Sequence, residues 1–265
     1  MSFSDSLDTR SESSRSRERE AVAGGMAALI AQTRMEIRLT LRRFEAVLIT
    51  MIVPVVLLVF FSLIDLAPEE FARPIDFLLP SMLVLAVMST GLVGLAIRTG
   101  YERSYGVLKR LGSTPLGRTN LLIAKINSVL LLTLVQVVVL IGIAMLGFGW
   151  EPEGNLLLAA VVLILGTATF SGLGLLLAGM LRAETTLGMA NTLYVFFLLF
   201  GGIIWPADRL PGALALPAQL LPSSAFSTAM RDILSNGEFA LAPVLILAGW
   251  GIAGILIASR TFRWE

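Results

Sequence analysis

The chain has 265 residues, 56% of them hydrophobic and only 15% charged, with a net charge of +1 and a mean hydropathy of +0.84. Soluble domains carry less apolar and far more charged residue, so this composition points to a membrane. Cysteine and histidine are both absent, which excludes disulfides, thiolate and Ser–His chemistry, and the usual zinc, haem and copper ligands.

Residues 1–25 are rich in Ser, Arg and Glu and have no apolar stretch, so they read as a disordered cytoplasmic tail rather than a secretory signal. Residues 26–45 read as an amphipathic interfacial helix. On a helical wheel Met26, Leu29, Ile30, Ile37, Leu41 and Phe44 share one side, and Arg34, Arg38 and Arg42 follow at i, i+4, i+8 on its flank. Such a helix lies in the membrane interface with its basic side chains near lipid phosphates. It is either an anchor alone or an elbow that also supports a docking surface.

Residues 46–265 read as an all-α, six-span membrane domain. A bilayer core of about 30 Å takes about 20 apolar helical residues. The runs that fit are Ala46–Ile64, Phe77–Ile97, Leu121–Phe148, Leu156–Met180, Leu187–Trp205 and Leu241–Ala258. The third is long and carries Lys125 near its start, so part of it is expected to project or tilt, with Lys125 snorkelling to the interface. Pro54, Pro80 and Pro243 are expected to bend their spans. Ala168 with Gly172, and Gly174 with Ala178, read as small-residue packing pairs.

Basic residues set the orientation. With the N-terminus in the cytoplasm, 17 of the 20 Lys and Arg fall inside, and only Arg73, Arg209 and Arg231 fall outside. Both termini are then cytoplasmic.

Between spans two and three lies Tyr101-Glu102-Arg103-Ser104-Tyr105-Gly106-Val107-Leu108-Lys109-Arg110-Leu111-Gly112-Ser113. The wheel places Tyr101, Tyr105, Leu108 and Leu111 on one side, Arg103 and Arg110 opposite, and Glu102 and Lys109 between. Gly112 suits a helix C-cap and Pro115 forbids continuation. The segment is either a solvated positive loop or a short docking helix over about residues 101–113. After span five, Trp205, Pro206, Pro211 and Pro222 interrupt an apolar stretch too short to cross. Residues 206–235 therefore read as an external re-entrant helical hairpin, tolerated at depth only against protein or a water-filled cavity.

No segment matches the phosphate-cradling pattern G-x-x-x-x-G-K-[ST], and no carboxylate sits at mid-span. Hydroxyl, amide and aromatic residues that could line a pathway for an amphiphile are Ser89 and Thr90 in span two, and Asn191, Thr192, Tyr194 and Phe197 in span five. Ordinary helix packing would use the same residue types.

Three features together resemble ABC-type-2 (ATP-binding-cassette) permeases of the drug and lipid exporter kind, nearest to the daunorubicin and antibiotic-efflux type. They are Glu102-Arg103 followed by Gly106, Leu108, Leu111 and Thr114-Pro115-Leu116; Phe200-Gly201-Gly202-Ile203-Ile204-Trp205-Pro206 followed by Leu210-Pro211 and Leu221-Pro222; and the order of basic elbow, six spans and broken external hairpin.

The resemblance implies a permease subunit of the plasma membrane that moves a drug-, antibiotic- or lipid-like amphiphile outward. Glu102, Arg103, Tyr105, Leu108, Lys109, Arg110 and Leu111 would form the coupling helix seated on a separate cytoplasmic ATPase. Trp205, Pro206, Pro211 and Pro222 would cap the exit. The resemblance also implies a second permease, either another copy or a sister chain, with membrane lipids around both. ATP and Mg would belong to the partner, with no cofactor, metal or nucleic acid in this chain. A membrane scaffold or sensor that docks an ATPase without moving substrate is the alternative. An integral membrane enzyme would need a polar catalytic cluster that the sequence does not display.

Overall fold

The computed structural model describes residues 26–40, 42, 44–64, 73–112, 117–152, 154–204, 212–235 and 237–261. Among them the backbone is largely helical and contains no strand. In a chain this apolar the helix is the form that satisfies each amide within its own segment. Residues 26–40 form α1, Phe44–Leu63 α2 and Pro74–Val87 α3. A π-helical segment, Met88–Gly94, joins α3 directly to α4, Leu95–Ser104. Then follow α5 (Val107–Gly112), α6 (Arg118–Phe148), α7 (Leu156–Met180), α8 (Ala183–Phe200), α9 (Gly212–Gln219), α10 (Pro222–Ser235) and α11 (Leu241–Thr261).

Among the described residues, five helical stretches are long and apolar enough to cross a membrane: Pro74–Ser104, Thr119–Phe148, Leu156–Met180, Ala183–Phe200 and Leu241–Thr261. The first of the six expected spans corresponds to α2, whose apolar stretch Thr50–Leu63 is shorter. Pro74–Ser104 has 31 residues, about 46 Å at the α-helical rise, which exceeds the ~30 Å hydrocarbon layer. Its last turns, carrying Arg98, Glu102 and Arg103, can therefore extend past the apolar layer. α6 also has 31 residues, so its first turns and Lys125 can do the same.

Two interior prolines explain two inter-helix bonds. Proline has no N–H, so the carbonyl four residues earlier loses its helical donor. Pro54 deprives Thr50 in this way, and Gln136 Nε2 of α6 donates to the Thr50 carbonyl at 3.1 Å. Pro80 deprives Asp76, and Ser235 Oγ of α10 donates to the Asp76 carbonyl at 2.5 Å. Pro243 instead falls in the first turn of α11, where amides lack intrahelical partners in any case.

α7 packs between α11 and the π-helical segment. A Cβ on Gly174 would stand 2.6 Å from the Gly91 carbonyl oxygen, and one on Gly172 would stand 2.9 Å from Ile255 Cγ1. Only glycine permits approaches this close. The main core fills the middle of the bundle and the end that carries α9 and α10, here termed the hairpin end. A smaller cluster of Leu95, Leu108, Leu121, Leu122, Val129, Leu175 and Ala258 closes the opposite end, which carries α1 and α5 and is here termed the basic end.

At the hairpin end nearly every residue of α10 is buried against α3, α7 and α11. Arg231 Nη1 donates to the Gly202 carbonyl at 2.6 Å, and the guanidinium lies 5.3 Å from the centre of the Phe77 ring. Ser227 Oγ donates to the Gly201 carbonyl at 2.9 Å. Gly202 has φ +66°, and a Cβ on Gly201 would overlap Ser223, so both glycines are required where α8 turns towards α10. Arg231, one of the three basic residues expected outside, is thus a buried pin. Residues 1–25, Leu41, Ser113, Pro115, Trp205, Pro206 and Pro211 lie outside the described residues.

Candidate functional site at the basic end

The expected docking helix over 101–113 is two helices. α4 ends at Ser104, the chain turns at Tyr105 and Gly106, and α5 begins at Val107. Gly106 has φ +69°, a left-handed conformation that disfavours side chains, and this turn interrupts the 100° periodicity of the wheel. The faces change accordingly. Leu108 is fully buried in the basic-end cluster and Leu111 packs against it. Tyr105 is 75% exposed, and Val107, Lys109 and Arg110 are also exposed. The outward tip therefore mixes an aromatic, an aliphatic and two basic residues.

Behind the tip, the end of α4 is fastened to three other helices. Arg103 donates from Nη1 to the Gly179 carbonyl at 2.7 Å and from Nη2 to the Leu181 carbonyl. The last carbonyls of a helix lack intrahelical donors and carry the negative end of its dipole, so a guanidinium suits the C-terminus of α7. The neighbouring Glu102 turns to α6. Its Oε2 lies 2.5 Å from Lys125 Nζ, and the same Nζ lies 3.0 Å from Glu36 Oε1 of α1. Lys125 is 0% exposed. It does not snorkel: in a fully enclosed site an ammonium is tolerable only when paired, and two carboxylates supply the pairing.

Further polar bonds surround the trio. Gln32 Nε2 donates to Glu36 Oε1 at 3.1 Å. Arg98 donates from Nη1 to Thr40 Oγ1 at 2.7 Å and from Nη2 to Ser128 Oγ at 3.4 Å. Ser128 Oγ in turn donates to the Lys125 carbonyl at 2.8 Å. Glu36, Glu102, Lys125 and Arg98 balance in formal charge. The face that α1 packs inward is thus the polar one of Gln32, Glu36 and Thr40, while Met26 and Ile30 are exposed and Leu29 and Ile37 are half-buried. Arg34, Arg38 and Arg42 are exposed, away from the cluster.

The pathway candidates stand in differing surroundings. Thr90 is buried in the π-helical segment and donates to Gln136 Oε1 at 3.1 Å, while Ser89 is half-buried. Asn191 and Thr192 are exposed on α8 and bond the Leu187 and Gly188 carbonyls of their own helix. Tyr194 is half-buried, and Phe197 is buried edge-on to Phe170 with ring centres 6.0 Å apart. A cavity of about 260 Å³ lies between α2, α3 and the end of α8, with Leu57, Phe61, Phe77, Met82, Leu198 and Ile204 on its wall, and none of the six candidates lines it. Pro222 is buried at the first position of α10.

Sequence reading passed over Glu36, Gln136 and the partners of Lys125. Glu36 was visible as a carboxylate between Arg34 and Arg38, and Gln136 as an amide inside an apolar run. Nothing in their spacing shows that residues 36, 102 and 125 meet.

These features define a multi-pass α-helical membrane protein with a braced, basic tip at one end. A family model described as "ABC-2 family transporter protein" matches residues 69–260, and the chain belongs to that family. It is a membrane subunit of the transport-permease type. It is 28% identical to the "Putative transport permease YvfS" of Bacillus subtilis (strain 168), over 90% of this chain and 98% of that protein. It is 30% identical to "ABC transporter G family member 20" of Dictyostelium discoideum, over 72% of this chain but 28% of that longer protein. It is 21% identical to the "Probable multidrug ABC transporter permease YbhS" of Escherichia coli (strain K12), over 71% of this chain and 51% of that protein.

Proposed function

We propose that this chain is the permease subunit of an ATP-driven exporter, and that the tip formed by Tyr105, Val107, Lys109 and Arg110 is where a separate cytoplasmic ATPase docks. The observation that carries this reading is the combination of an exposed mixed surface with a base fixed to α1, α6 and α7. A docking element that passes force on must be both accessible and stiff.

In this reading the basic end faces the cytoplasm, in keeping with the distribution of Lys and Arg, and both termini lie there. ATP and Mg bind the partner, because the 265 residues contain no phosphate-cradling motif. A second permease, another copy or a sister chain, completes the pathway. The substrate is an amphiphile of drug, antibiotic or lipid type, supported by the multidrug name of the relative from Escherichia coli.

The test is substitution on the tip alone. Val107→Asp and Tyr105→Asp should abolish co-purification of the ATPase and transport, without lowering the yield of folded permease. Survival of both activities overturns the docking role. Leu108→Asp and Arg103→Glu are unsuitable probes, since one buries a charge in a closed apolar cluster and the other strips the α7 terminus of its donor.

A further inference from the structure

A docking tip is useful only if its movement reaches the rest of the molecule. Buried charge pairs are weak evidence of stability, because well-packed apolar residues often hold helices as firmly. What an ion cluster adds is a specific arrangement. At the basic end one fully enclosed ammonium serves two carboxylates, Glu36 of α1 and Glu102 at the base of the tip. Separating α1 from α4 would leave a buried charge short of its partner on at least one side. Arg98 of α4 adds a second link to α1 through Thr40. Among the described residues, Ala28 is the apolar side chain of α1 that packs against the basic-end cluster.

We propose that Lys125 is a positioning residue for energy coupling: it clamps α1 to the α4–α5 element, so that displacement of the tip carries the interfacial helix with it. The proposal rests on the docking reading above for the source of the displacement, but the clamp itself is a property of this chain. It also gives α1 a role beyond that of a lipid anchor. Its inner face is bound to the coupling element by charge, and its outer face presents Arg34, Arg38 and Arg42 to the surroundings.

The experiment uses the permease with its ATPase in liposomes. The chain has no cysteine, so Arg38→Cys and Ser104→Cys place two spin labels at exposed positions on α1 and α4, attached to the permease before the ATPase is added and without background from the permease itself. The clamp predicts one narrow label-to-label distance, the same with and without ATP. Lys125→Met should broaden or split that distance and lower permease-stimulated ATP hydrolysis about tenfold, within the usual range of coupling energies. Lys125→Arg, which keeps a charge able to reach two carboxylates, should restore part of both.

If Lys125→Met yields no folded complex, the reversed pair Glu102→Lys with Lys125→Glu decides. It keeps the α4–α6 bridge but sets two carboxylates against each other at Glu36, so the distance should broaden while the ATPase still binds. An unchanged narrow distance and full stimulation in these variants overturn the clamp. Full association of the ATPase with the Val107→Asp tip overturns the docking reading instead, and leaves the distance result to judge the clamp by itself.

Discussion

The two ends of the bundle each enclose a cation, and among the described residues different groups hold it. At the hairpin end Arg231 is held by a backbone carbonyl, the Ser227 hydroxyl and the face of Phe77. At the basic end Lys125 is held by two carboxylates from two other helices. Carbonyls and rings come with the local fold, so the Arg231 arrangement fixes α10 to the turn after α8. Carboxylates belong to separate helices, so the Lys125 arrangement ties together elements that could otherwise move apart. One end is pinned and the other is clamped. The proposed docking role would use both: a hairpin kept in place and a tip whose displacement reaches other helices.

The largest stability effect should come from the clamp. Lys125→Met leaves two carboxylates enclosed without their cation and should cost about 3–5 kcal/mol, read as a lowered thermal midpoint in detergent. Arg231→Met should follow with about 1.5–3 kcal/mol, the range for hydrogen bonds to a charged group. Arg231→Lys should recover only part of that loss, since an ammonium lacks the guanidinium fork and stacks less well. If Arg231→Met proves the costlier of the two, the ranking of pin and clamp reverses.

The middle of the bundle gives a finer test. Gln136→Leu removes the donor to Thr50 and the acceptor for Thr90, and should cost about 1–2 kcal/mol. In a Pro54→Ala background the helix supplies its own donor to Thr50, so the same substitution should cost about 0.5–1 kcal/mol less. Additive losses in that double-mutant cycle would remove the link between the proline and the glutamine. The smallest effect belongs to Asn155→Ala, which removes the side-chain cap bonding Leu157 N and Leu158 N at the start of α7. It should lower stability by about 1 kcal/mol and leave both ends of the bundle unaltered.

Much of the fold was legible because a bilayer imposes a length and an apolarity on every span. The runs of leucine, valine and isoleucine announce the long helices directly, and Gly106 with Gly112 marks a short element between two of them. The wheel misjudged the faces of that element because a single left-handed glycine resets the phase, turning Leu108 inward and Tyr105 outward. Lys125 looked like a snorkelling charge because sequence shows only its neighbours on α6. Its true partners lie on α1 and α4 and are brought to it by folding. Pro54 and Pro80 also determine which carbonyls neighbouring helices must satisfy, and only the folded chain shows the donors that do so.

The central claim is that a partner's ATP hydrolysis reaches this chain through the tip on α5 and drives an amphiphile across the membrane. Its most direct test is ATP-dependent movement of a fluorescent amphiphile in liposomes that contain the permease and its ATPase, compared with the Val107→Asp permease. The account predicts nucleotide-dependent flux with the unaltered chain, and its loss with Val107→Asp at equal amounts of folded protein. Equal flux from both, or no flux from the unaltered complex across a panel of amphiphiles, would contradict it.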